Sequence, residues 1–212
     1  IEKINPDKIN RRISQENPEL SYTELWEKTW KYVADRITDN IEKRNSFALE
    51  STLAGNTGLA RILEAKEKGF RINITYIALD SLDMHFERVR NRVKRGGHDI
   101  PKEDIIRRFI ASYRKLPHIL TIADEATIFN NSDSTKSHVP VLKVKDGLIV
   151  EIDENMPSPV KESLKKTELR KGYNINPDES AVFDWKKAVK DAKTVDDIKY
   201  IFKKIKPYIK NS

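Results

Sequence analysis

Arg88, Arg92 and Arg95 stand at i, i+4 and i+7 in a run, Arg-Val-Arg-Asn-Arg-Val-Lys-Arg, that leads through Gly96-Gly97 into His98-Asp99-Ile100-Pro101. On a helix this spacing puts three guanidinium groups on one face, with Arg90 and Lys94 turned elsewhere. Such an array suits phosphate oxygens, because each guanidinium offers a planar fork of donors and never loses its charge. A solvated helix face accounts for the same residues when the helix is taken alone. Glu50 closes the apolar run Phe47-Ala48-Leu49 and precedes two hydroxyls, Ser51 and Thr52. A carboxylate there can accept a proton, hold a substrate hydroxyl or order a magnesium ion through water, or it can simply cap a helix. Asp7 is open to two readings of the same kind: a base that positions an attacking hydroxyl, as phosphoryl transfer requires, or a helix cap.

Lesser candidates surround these. Arg107 and Arg108 sit on the following helix and are placed to approach the same anion. Asn130-Asn131-Ser132 suits either a nucleotide base or ribose, or an ordinary Asx turn. His98 reads as a loop hydrogen bonder. With 4 histidines in the chain and none paired at ligand spacing, no zinc site is expected and no metal ligand is assigned.

The elements that must position these groups follow from periodicity and punctuation. Glu2 to Ile4 reads as the end of a short strand, followed by a helix with Pro6 in its first turn and Asn5 or Asp7 as cap. Ser21 and Glu24 form a capping box that opens a long helix to about Arg44, with Leu25, Tyr32, Val33, Ile37 and Ile41 on its apolar face. Phe47 to Leu49 is a second strand, and Gly58 to Lys68 a helix stopped by Gly69. Ile72 to Leu79 reads as a strand covered on both faces. The arginine-rich helix presents Leu82, Phe86, Val89 and Val93 as its core stripe. Pro101 begins a helix whose apolar positions are Ile105, Phe109, Ile110 and Tyr113. Ala126 to Phe129 is the next strand, and Lys145-Asp146-Gly147 joins Val141–Val144 to Leu148–Ile152 as a hairpin. Strands alternating with helices over residues 1–130 predict a parallel, doubly wound sheet, in which ligands lie at the carboxyl ends of strands. Asp7, Glu50, Asp80 and Asn130 are the positions just past those ends.

Composition narrows the class. The 212 residues carry a net charge of +7, which favours an anionic partner, and their acids and bases are interleaved as in a folded domain. The absence of cysteine excludes disulfides and fits a cytoplasmic protein. No apolar run approaches the roughly 20 residues of a membrane span. Aromatic residues are not interleaved with the basic cluster, which argues against nucleic acid as the partner. Past Pro157 the chain becomes polar and punctuated, then reads as a lysine-rich helical tail from about Asp184 to Lys206.

Together these segments resemble the zeta-toxin family of P-loop kinases, in its bacterial branch also described as predicted ABC-type ATPases. The resemblance rests on Ile4-Asn5-Pro6-Asp7-Lys8-Ile9, Ser46 to Leu53, the Gly69-to-Leu79 segment, Arg88 to Pro101, Arg107-Arg108-Phe109 and Phe129 to Ser132, in that order. It implies a three-layer, nucleoside-kinase-like α/β core over residues 1–155, with a helical extension over 156–212. It further implies phosphorylation of a small acceptor by ATP or GTP with Mg2+. The family's best-known members act on UDP-N-acetylglucosamine and are held by an antitoxin protein. By the same resemblance Asp7 matches the base on the acceptor hydroxyl and Glu50 a substrate-side glutamate, while Arg88, Arg92 and Arg95 fall among the lid arginines. Thr52, His98, Arg107, Arg108, Asn130 and Asn131 complete the expected substrate and nucleotide contacts. The family's Gly-x-x-x-x-Gly-Lys-[Ser/Thr] loop and first strand do not occur in these residues. The expectation is therefore a piece of a kinase incapable of normal turnover, the alternative being a pseudokinase or a basic module binding an acidic protein or nucleic acid.

Overall fold

A computed structural model describes residues 1–97, 99–136 and 138–165, in two compact units divided between Phe70 and Arg71. His98 and the helix read from Asp184 to Lys206 lie outside the described residues.

The first unit contains β1 (Glu2–Ile4), α1 (Pro6–Glu16), α2 (Tyr22–Glu42), β2 (Phe47–Leu49) and α3 (Asn56–Glu67). β1 and β2 pair in parallel, Ile4 opposite Leu49. Asn5 caps α1, its side chain accepting from the Lys8 amide, and Pro6 occupies the first turn, where its missing N–H costs nothing. The Ser21–Glu24 capping box is present, and α2 buries Val33, Ile37 and Ile41 of its expected face, whereas Tyr32 stays exposed beneath the Arg12 guanidinium. α1 packs on α2, where the Asn10 amide donates to the Thr29 hydroxyl at 3.0 Å. Thr29 is wholly buried and donates in turn to the Leu25 carbonyl, so no polar atom is stranded there. At the other end of α2, Arg36 grips Glu2 with two bonds of 2.9 and 2.7 Å, and buried Asn40 adds a third at 2.7 Å. These bonds hold the Glu2 carboxyl down at about 2.

The second unit contains β3 (Asn73–Ala78), α4 (Leu82–Lys94), α5 (Lys102–Ile122), β4 (Glu125–Asn130), β5 (Val139–Lys145), β6 (Leu148–Ile152) and α6 (Ser158–Leu164). Its sheet runs β3-β4-β5-β6, the first pair parallel and the other two antiparallel. Asp146 and Gly147 both take positive φ, 50° and 75°, the two-residue hairpin turn whose twist matches its strands. Leu116, Leu120, Ile128, Leu142 and Val160 are at most 1 % exposed and anchor a core that also takes in Tyr113 and Met156.

The mixed α/β architecture with parallel pairs stands, but several expectations need correction. The strands of residues 1–130 do not share one ladder: β1-β2 and β3-β4 belong to separate sheets. β3 is not covered on both faces, since Ile74 and Tyr76 pack on the core while Asn73, Thr75 and Ile77 are exposed. Its sequence alternates polar and apolar through Thr75, which is the pattern of a half-buried strand. α4 has no fully buried residue, and Val93, expected in the core, is exposed. Ile110 is likewise 55 % exposed, because α5 turns the face of Ile105, Ser112, Tyr113 and Leu116 inward.

Candidate active site

In the first unit the parallel pairing carries Asp7 and Glu50 to one end of the same two strands. The Glu50 amide continues the ladder by donating to the Ile4 carbonyl at 3.0 Å, so Glu50 begins where β1 gives way to α1. Asn5 joins the two segments. Its side-chain oxygen caps α1, and its side-chain nitrogen donates to the Glu50 carboxylate. Asp7, in the first turn of α1, is exposed, as is Glu50. A carboxylate in the first helical turn also lies in the favourable field of the helix N-terminus.

Beyond Glu50 the chain turns sharply. Ser51 accepts from the Leu53 amide at 3.1 Å and Thr52 from the Ala54 amide at 3.5 Å. Leu53 is buried in the left-handed region at φ 56°, a conformation that costs a non-glycine residue energy. The Thr52 hydroxyl, expected on substrate, thus shapes the loop that follows Glu50.

The second unit builds a corresponding end from β3 and β4. The Asn131 amide donates to the Ala78 carbonyl at 3.0 Å, and the Asp80 amide to the Ser132 hydroxyl at 2.8 Å. Arg88 reaches from α4 to the Asn131 carbonyl, tying the basic helix to this end of the sheet. Asn130 forms the Asx turn: its oxygen accepts from the Ser132 amide at 2.9 Å, and its nitrogen donates to the Asn155 carbonyl at 2.9 Å. Beneath, the Tyr113 hydroxyl donates to the Leu79 carbonyl at 3.2 Å and receives the Leu79 amide at 3.4 Å. Burial pushes the Tyr113 phenol up to about 12, with the Asp80 charge adding to the rise.

Arg92 and Arg95 lie at the C-terminus of α4, where Gly96 takes φ 83° and the Gly97 amide returns to the Arg92 carbonyl at 3.0 Å. Arg107 pairs with Asp104 at 2.8 Å and Arg108 with the same carboxylate at 3.9 Å, so their described ion pairs lie within α5. Those partners, Arg107 foremost, hold the Asp104 carboxyl below its ordinary value. Asn5 and Tyr113 were not singled out as site residues. Asn5 read as a cap, but its second bond spans 45 positions of sequence, and Tyr113 read only as core.

The zeta-toxin sequence profile matches residues 3–139, more than half of the chain. The chain belongs to the zeta-toxin family. A Haemophilus influenzae protein described as "Uncharacterized protein" is 35 % identical over 104 residues, covering 49 % of this chain and 71 % of that protein. No solved structure matches the chain. Membership in the zeta-toxin family brings with it a P-loop-kinase-like phosphotransferase class and the use of a nucleotide. Among the described residues, no helix is long and apolar enough to cross a membrane.

Proposed function

We propose that this zeta-toxin family protein transfers the terminal phosphoryl group of ATP or GTP to a hydroxyl of a small acceptor, with a UDP-N-acetylsugar as the acceptor to try first. The observation that carries this reading is the junction of β1, α1 and β2. The Asn5 bond to Glu50 and the Glu50 amide bond to Ile4 bring two strand-end carboxylates to one edge. Phosphoryl transfer asks little covalent chemistry of the protein and much positioning. Asp7 accepts the proton of the acceptor hydroxyl as its oxygen attacks phosphorus. Glu50, oriented by Asn5, holds the acceptor through a neighbouring hydroxyl. Arg88, Arg92 and Arg95 contribute fixed positive charge toward nucleotide phosphates, Arg88 doing so while anchored to Asn131.

Mg2+ fits these carboxylates as a largely hydrated ion. The described residues hold no group of three His, Asp or Glu able to cage a metal. Magnesium is commonly held by one or two carboxylates together with substrate phosphates, so Glu50 suffices as a protein ligand through water. When bound, the ion would neutralise charge on the phosphates.

The test is phosphoryl transfer from γ-labelled ATP to UDP-N-acetylglucosamine by the full-length protein. Asp7→Asn should lower kcat by about 10²–10⁴-fold with nucleotide KM little changed. Glu50→Gln should act mainly on the acceptor KM. Undiminished transfer by Asp7→Asn overturns the role given to Asp7.

A further inference from the structure

The helix α4 carries Arg88, Arg92 and Arg95 yet buries none of its own residues fully, so its placement rests on contacts at its surface. Two of those contacts lead back to one side chain. Arg88 donates to the Asn131 carbonyl just past β4. His85, one turn earlier, meets the Phe109 ring edge-on at 5.3 Å, and Phe109 meets the Tyr113 ring edge-on at 4.8 Å. Tyr113 is buried, and its ring also lies edge-on to Tyr76 of β3 at 5.8 Å. Edge-to-face packing on two sides fixes the direction in which the phenol presents its hydroxyl.

That hydroxyl meets the exit of β3. The ladder between β3 and β4 ends at the Ala78–Asn130 pair, so the polar backbone groups of buried Leu79 have no strand partner. A buried amide and carbonyl must find partners elsewhere. The Tyr113 hydroxyl serves both, receiving the amide at 3.4 Å and donating to the carbonyl at 3.2 Å. Neither bond is short, and the grip comes from holding two groups of one residue at once. On either side the exit is tied to the segment after β4. The Ala78 carbonyl accepts from the Asn131 amide at 3.0 Å, and the Asp80 amide donates to the Ser132 hydroxyl at 2.8 Å. Asn131, whose carbonyl receives Arg88, is thus held against the stretch that Tyr113 grips.

We propose that Tyr113 is a positioning residue for the nucleotide. Its hydroxyl braces the β3 exit that holds Asn131, its ring braces Phe109 beneath His85, and together they set where Arg88 stands. The inference rests on the reading of Arg88 as a contact to nucleotide phosphate. A residue needed only to fill the core could be phenylalanine, since the ring takes the same space and only the hydroxyl meets the strand exit.

Tyr113→Phe separates the two roles. In the full-length protein it should raise the nucleotide KM about three- to tenfold, the size of one lost hydrogen-bonding group, with the acceptor KM unchanged. Arg88→Ala should raise the nucleotide KM at least as much. The double variant should be no worse than Arg88→Ala alone, because Tyr113 acts through Arg88. The Arg88 side-chain NMR signal, read without nucleotide, should move in Tyr113→Phe. Should that variant fold poorly, Ser132→Ala loosens the same exit from the β4 side and should move the same signal. A purely structural Tyr113 would lower the thermal midpoint while leaving the nucleotide KM and the Arg88 signal in place, and that result overturns the proposal. Losses that add in the double variant overturn it too. An Arg88 signal that moves, beside an Arg88→Ala nucleotide KM that does not, would instead overturn the phosphate reading of Arg88 and the nucleotide role of Tyr113 with it.

Discussion

At the scale of single residues, the chemistry depends on side chains that each serve two neighbours. Asn5 caps α1 with its oxygen and orients Glu50 with its nitrogen, so helix initiation and carboxylate placement are one event. Asn130 divides its amide in the same way between Ser132 and Asn155, leaving the Asx-turn reading in use. Glu2 ties its protonation state to the fold. Arg36 and Asn40 hold its carboxyl at about 2, against 4.5 for the free side chain. A depressed carboxyl contributes stability that is fully present above the unfolded value and disappears as pH falls through the folded one. Thermal midpoints of the wild type should therefore fall steadily between about pH 4.5 and pH 2. In Glu2→Gln the same scan should be flatter through that window and start lower at pH 7, because Arg36 loses its charged partner. An identical slope in both proteins would remove Glu2 from the account of acid sensitivity.

At the scale of elements, the end of α4 shows how much a short sequence reveals. Gly96 and Gly97 follow the last residues of α4, and the two glycines serve for different reasons. Gly96 has open space around it and is needed for its positive φ. Gly97 has an ordinary φ, but a β-carbon there would stand 2.5 Å from the Arg92 Cγ and 3.0 Å from the Arg92 carbonyl oxygen. Gly96→Ala should cost about 1 kcal/mol through backbone strain alone. Gly97→Ala should cost about 1–3 kcal/mol and in addition displace Arg92 from its rotamer. Equilibrium denaturation gives both costs, and the Arg92 side-chain NMR signal separates them, moving in Gly97→Ala and staying in Gly96→Ala. The elements were legible wherever a local signal sets them: the capping box at Ser21, the turn at Asp146-Gly147, Pro6 in a first turn. What was not legible is which face an element buries when its pattern is mixed. Val93 and Ile110 are as apolar as Val89 and Phe109, yet they stay outside because α4 and α5 meet along the line where His85 contacts Phe109. Nor does periodicity reveal strand pairing. β2 and β3 both read as apolar strands, but membership of a ladder is decided by tertiary contacts, and they lie in different sheets.

At the scale of the whole molecule, the two compact units divide the candidate chemistry: Asp7 and Glu50 belong to the first, and all of the arginines considered to the second. Each unit buries its own apolar set. Ile4, Ile13, Val33, Ile37 and Ile41 are buried in the first, and Leu116, Leu120, Ile128 and Leu142 in the second. Strand-end acids and an arginine-rich helix could be recognised from residue types alone, because charge and punctuation are written locally. The division at Phe70 could not, since Phe70 closes its unit by an edge contact with Phe47 at 6.0 Å, across 22 residues of sequence. If the two cores are energetically distinct, damage to one should remain local. Leu120 is fully buried at the centre of the second core, so Leu120→Ala should cost about 2–5 kcal/mol there. Amide hydrogen exchange should show protection falling across β3, β4, β5 and α5, while the amides of α2 keep their wild-type rates. Equal loss in α2 would show that the two units open together as one cooperative body, and Leu120→Ala would then destabilise the Asp7–Glu50 edge as much as the sheet it sits beneath.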